Sequence, residues 1–127
     1  KLSYAQYFKV LDNYIMMPTG SALGYGVGPL LIAKEDMPEA QINQAQIAIP
    51  GWHTTAHFLL QFAYPEANHK TEIIFSDIEQ AVLDGRVDSG VIIHENRFTY
   101  AMKGLHKITA LGAYWNPKPD YPFPWVA

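Results

Sequence analysis

Residues 87–100, VDSGVIIHENRFTY, place a proton-transfer side chain where an apolar run ends. Val91, Ile92 and Ile93 lead into His94 and Glu95, with Arg97 and Tyr100 behind them. In open α/β sheets, ligands bind in the crevice beyond the carboxyl ends of the strands. An imidazole there can both accept and donate a proton near neutrality, because its ordinary pKa is ~6.5. A strand-end histidine bonded only to backbone would have the same spacing, so the residues alone leave both readings open. The chain has no GxSxG motif, so a Ser-His-Asp hydrolase is not indicated. A single histidine suits proton abstraction or elimination better. Glu95 is expected to pair with Arg97 and fix the following turn rather than to act on a substrate.

Two other stretches could hold a ligand. Residues 20–28, GSALGYGVG, permit close approach of backbone N–H groups, and Ser21 could add a hydroxyl. The spacing is not GxGxxG, a strand rather than a helix follows, and no Lys-Ser/Thr pair makes a P-loop. A plain strand connection rich in positive φ is the simpler reading. Residues 50–56, PGWHTTA, end a strand, turn at Gly51 and open a helix at Thr54 or Thr55. The free N–H groups and positive dipole end of such a helix favour a carboxylate or phosphate. Either threonine could equally be only an N-cap, and the two roles are compatible. His53 and His57 have metal-ligand spacing, but no HExxH register accompanies them, so they read as surface or supporting residues.

The elements that must position these groups follow from periodicity. Tyr4, Tyr7, Phe8 and Leu11 share a helix face, residues 14–17 read as a short strand, and residues 29–33 as a buried one. Residues 34–44 read as a linker. From residue 45 the pattern is strand, helix, strand, helix, strand. Residues 46–49 are a strand, and the next helix should carry Phe58, Leu59 and Phe62 inward. Residues 71–75 are a strand, and Ser76 with Glu79 forms a capping box for a helix ended by Gly85. Residues 87–93 and 105–111 complete the strands. Alternation of this kind predicts an α/β fold with a largely parallel sheet and right-handed crossovers.

The totals bound the function. A chain of 127 residues is one ordinary domain with a real core. A net charge of -3, with no Lys or Arg run, argues against a nucleic-acid partner. Without cysteine there is no disulfide, thiolate metal site or Cys nucleophile. No apolar run approaches the ~20 residues of a membrane span, and no signal peptide is evident. These features suit the cytoplasm.

Three motifs in this order, GSALGYGVGPLLIA, IAIPGWHTTAHFLL and GRVDSGVIIHENRFTY, resemble the 1,4-dihydroxy-6-naphthoate synthase family. That family cleaves cyclic dehypoxanthinyl futalosine in the futalosine route to menaquinone. The resemblance implies a fold like type II periplasmic binding proteins, with two α/β lobes closing on a cleft. Residues 1–44 would end the first segment of lobe one and form the hinge, and residues 45–127 would be the second lobe and the return crossing. The family's N-terminal SPCPND-type motif and returning C-terminal segment have no counterpart here. The resemblance therefore implies an internal fragment lacking part of the active site. It makes His94 the catalytic base and places Ser21, Ala22, Gly24, Thr54 and Thr55 against the substrate carboxylate. It assigns nothing to Trp52 and His53. No metal or organic cofactor is implied. The expected partner is a small-molecule carboxylate, with no membrane or nucleic acid, and a homodimer is the one assembly allowed for. Chorismate dehydratase and a carboxylate-binding solute-binding protein are the alternatives. The HENRFTY string and paired threonines favour the synthase.

Overall fold

A computed structural model describes residues 4–20, 28–93 and 96–115. Its centre is a five-stranded sheet of order β3-β2-β4-β1-β5. The strands are β1 (Leu30–Ala33), β2 (Ile47–Ile49), β3 (Lys70–Glu72), β4 (Ser89–Ile92) and β5 (His106–Ala110). The helices are α1 (Tyr4–Tyr7), α2 (Glu39–Ile42), α3 (Thr55–Ala63), α4 (Ile78–Leu83) and α5 (Asn96–Thr99). Short 3-10 turns cover Phe75–Asp77, Tyr100–Lys103 and Leu111–Tyr114.

Both faces of the sheet are covered. Leu31, Ile47, Ile49 and Val91 pack with Leu59 and Leu60 of α3 and with Leu111. Leu30, Ile32, Ala48 and Ile92 pack with Ile78 and Val82 of α4 and with Leu105. Neighbouring strand residues thus go to opposite cores, as the two-residue strand period requires. This explains why LLIA and GVI are continuously apolar, since each of those strands is buried on both sides.

The sheet is mixed rather than largely parallel. β2 runs parallel to β3 and β4, but β1 is antiparallel to both β4 and β5. A doubly buried apolar run reports burial and not direction, so β1 gave no sign of its reversal. β1 also lies between β4 and β5, and its pairing with β5 skips Ile108 as a bulge.

Several local expectations are corrected. The first helix stops at Tyr7, and Phe8 and Leu11 are exposed. So short a helix is marginal without tertiary packing. Residues 14–17 are not a strand, and Ile15 is 94% exposed. They find no partner strand among the described residues; instead the Met16 N–H donates to Tyr7 Oη at 3.3 Å. The linker at residues 34–44 contains α2, pinned by buried Ile42. In α3, Leu59 and Leu60 point inward, but Phe58 is 47% exposed and meets the rings of Phe62 and Trp115 at 6.5 and 5.6 Å. The capping box does not form. The 3-10 turn delays α4 to Ile78, Ser76 donates to Asp77 Oδ1 at 2.9 Å, and Glu79 turns inward to Lys103. Gly85 does end α4, at φ +70°, with Gly85 N–H on Val82 O and Arg86 N–H on Ala81 O, a Schellman closure.

Tertiary ties hold α3 at its far end. The Tyr64 and Tyr114 hydroxyls are 2.9 Å apart, and burial, reinforced by Tyr114, pushes the Tyr64 phenol well above its ordinary range. Lys70 donates to Gln61, and burial lowers its ammonium pKa.

Gly90 of β4 decides how closely α4 can approach. A Cβ there would fall far inside the contact distance of Ile78 Cγ2 and 3.2 Å from Val82 Cγ2. Ile78 is β-branched and fully buried, so it cannot swing aside. Gly90→Ala is expected to cost about 2 kcal/mol by overpacking. The measurement is the urea unfolding midpoint, and an unchanged midpoint would contradict this packing.

Candidate active site

One edge of the sheet collects the loops that matter. β2 and β4 leave it at Ile49 and Ile92, and the reversed β1 enters it at Leu30, paired with Ile92. β5 arrives at the same edge with Ala110 opposite Leu30. The Leu111 N–H then donates to Pro29 O at 3.0 Å, tying the start of β1 to the turn after β5. Pro29, Ile93 and the turn at residues 50–54 therefore share this edge. The reversal of β1 is what allows it: a parallel β1 would start at the opposite end.

Thr54 and Thr55 stand where the sequence put them, at the start of α3. Thr54 is the N-cap, with φ -96° and ψ 154°. Its Oγ1 accepts the His57 N–H at 3.2 Å and donates to Gly51 O at 2.7 Å. The hydroxyl is thus engaged as both donor and acceptor, so Thr54 shapes the turn rather than offering a free O–H to a ligand. Gly51 is required beneath it, since a Cβ there would sit 3.1 Å from Thr54 Cγ2 at a φ of +153°. What this end of α3 offers an anion is the positive end of its dipole.

Two charges flank the turn. Lys9 Nζ donates to His53 Nε2 at 3.3 Å and brings a cation from the N-terminal segment over residues 50–54. Glu72, paired with Ile49, places its Oε1 near Gly51 and is the anionic neighbour. Ser21, Ala22, Gly24, His94 and Glu95 lie outside the described residues. Gly28, Pro29 and Ile93, which adjoin them in the chain, are at the edge just described.

Sequence reasoning read His57 only as a surface or supporting residue, without a partner for it. Its Nδ1 is 2.7 Å from Trp52 O, and its ring meets the Trp52 ring edge-on at 5.2 Å. A histidine three residues after a threonine cap was the available signal. The same bond removes the metal reading of the His53 and His57 pair, since one ring is engaged with Trp52 and the other with Lys9. Among the described residues no group of three or more His, Cys, Asp or Glu could hold a metal ion. Among them, too, no helix is long and apolar enough to cross a membrane.

A family profile described as menaquinone biosynthesis matches residues 1–127. The chain is 43% identical over 124 residues to the 1,4-dihydroxy-6-naphthoate synthase of Thermus thermophilus, covering 98% of this chain and 44% of that protein. It is 39% identical over 129 residues to the synthase of the same name from Streptomyces coelicolor, covering 98% of this chain and 45% of that protein. The chain thus spans less than half the length of these relatives. A crystal structure of an Archaeoglobus fulgidus protein superposes with TM-score 0.79 at 36% identity, covering 95% of this chain and 44% of the other. The ligand-binding component of a Staphylococcus aureus ABC-type import system superposes with TM-score 0.58 at 11% identity, covering 79% of this chain and 36% of the other. That last likeness is one of fold: the mixed sheet is built as in a solute-binding protein. The match along its whole length shows that the chain belongs to the menaquinone biosynthesis family.

Proposed function

We propose that this chain is part of a lyase that converts cyclic dehypoxanthinyl futalosine to 1,4-dihydroxy-6-naphthoate in the cytoplasm. The observation that carries the reading is the 39–43% identity to two synthases of that name over 98% of the chain. The sheet edge supports it, because the α3 start and the chain positions next to residues 21–27 and 94–95 meet there. On this reading residues 45–127 form the second of two lobes and the return crossing, and residues 1–44, whose β1 pairs with β4 and β5, come from the end of the first lobe's opening segment and the hinge.

His94 takes a proton from the sugar-derived ring and starts a retro-aldol-like carbon–carbon cleavage. Aromatisation to the dihydroxynaphthoate draws the reaction forward. The first turn of α3, shaped by Thr54 and carrying Thr55, and the glycine-rich segment, with Ser21, Ala22 and Gly24, hold the substrate carboxylate and orient the ring. Lobe closure excludes water. The test is turnover by the full-length protein carrying this sequence, supplied with cyclic dehypoxanthinyl futalosine and followed by chromatography. Release of 1,4-dihydroxy-6-naphthoate is the expected result. A folded protein that releases none overturns the reading.

A further inference from the structure

We propose that His57 is a positioning residue for the carboxylate site at the start of α3, acting by clasping the turn at residues 50–54. The inference rests on the function proposed above, but its geometry stands independently. A carbonyl oxygen only accepts, so the 2.7 Å contact between His57 Nδ1 and Trp52 O requires the proton on Nδ1. In the neutral ring Nε2 is then the acceptor, and that atom is buried with no hydrogen-bond partner among the described residues. Among the described residues one ring nitrogen is spent on Trp52 O and the other is buried, which points to a role through the turn rather than direct acid–base work.

The clasp engages three acceptors of the turn. Gly51 O takes the Thr54 hydroxyl, Thr54 Oγ1 takes the His57 N–H, and Trp52 O takes the His57 ring. Because the peptide is planar and trans, fixing the Trp52 carbonyl also fixes the His53 N–H. Without the ring bond this peptide could rotate its carbonyl toward the helix start, where its negative end would compete with a carboxylate ligand. The Trp52 ring, edge-on to His57 at 5.2 Å, holds the imidazole in place.

Two substitutions in the full-length protein separate the clasp from mere bulk. His57→Phe keeps a ring against Trp52 but has no donor, whereas His57→Asn keeps an N–H donor at the place of Nδ1. We expect His57→Phe to raise KM for cyclic dehypoxanthinyl futalosine about tenfold, as loss of one positioning hydrogen bond would, with kcat within about twofold. His57→Asn should recover most of that loss. Equal losses in both variants, or an unchanged KM in His57→Phe, overturn the proposal. Independently of activity, 15N NMR of the wild-type histidines should show an Nδ1-protonated ring that disappears in His57→Phe, and an Nε2-protonated ring would overturn the clasp. A wild-type protein that shows this tautomer but no turnover fails the function and not the clasp. If His57→Phe does not fold, amide exchange over residues 53–57 decides: protection kept in His57→Asn supports the clasp, and protection lost overturns it.

Discussion

His94→Asn in the full-length protein is expected to lower kcat by about 10²–10⁴-fold, the range supplied by a positioned general base, while KM changes little. Asparagine keeps the size and some hydrogen bonding of imidazole but cannot accept the proton. The expectation follows from where β4 delivers the chain. β4 sits between β2 and β1, buried on both faces, so its register is held by two ladders. Ile92 faces Leu30 at the edge where α3 begins, and His94 follows two residues later. His94→Ala should show the same loss and regain part of it with added imidazole, which a residue serving only the fold would not do. Near-native kcat in His94→Asn would remove the base from the mechanism and return the histidine to a binding or structural role.

How much of this was legible in the sequence depends on the kind of signal. Buried strands announced themselves, because β1, β2 and β4 are apolar runs bounded by Gly, Pro or polar residues. The start of α3 was legible in Thr54 and the end of α4 in Gly85, since caps are local chemistry. Strand direction was not, because LLIA reads the same either way and only pairing with Ile92 and Ala110 decides it. Tertiary competition defeated other local rules. Glu79 has capping-box spacing from Ser76, yet it turns to Lys103, a partner 24 residues away that no local rule could supply. Phe58 has helical spacing for the core, yet Leu60 takes the inward position, and Phe58 joins Trp115 at the surface instead. The placement of the threonines at the start of α3 was legible, but the engagement of Thr54 on both sides of its hydroxyl depends on the local fold of residues 51–57. The His57 clasp is of the same kind.

Lys103→Met is expected to destabilise the protein by about 3 kcal/mol, the low end of the cost of stranding a buried charge. The Glu79 side chain is 3% exposed, and its Oε2 is paired with Lys103 while its Oε1 has no hydrogen-bond partner among the described residues. The lysine end is half-exposed, which is why the low end applies. Removing the lysine leaves a carboxylate among Ile78, Val82 and their neighbours in the core. Removing the carboxylate instead is much milder, since Lys103 can turn to water, and Glu79→Gln should cost about 1 kcal/mol. The double variant should therefore be more stable than Lys103→Met alone, and a double-mutant cycle from urea unfolding should return a coupling of about 2 kcal/mol. Additive losses, or a Lys103→Met midpoint equal to wild type, would show that the pair carries no weight. The pair also bears on the site. Lys103 closes the turn Tyr100–Lys103, which Gly104 ends at φ +78°, and this turn with α5 is the chain that leads away from His94. Anchoring it to the first turn of α4 fixes the segment that follows residues 94–95 in the chain. In Lys103→Met, kcat should accordingly fall at temperatures well below unfolding, and the added Glu79→Gln change should restore it. A kcat that tracks only the folded fraction would confine the pair to stability.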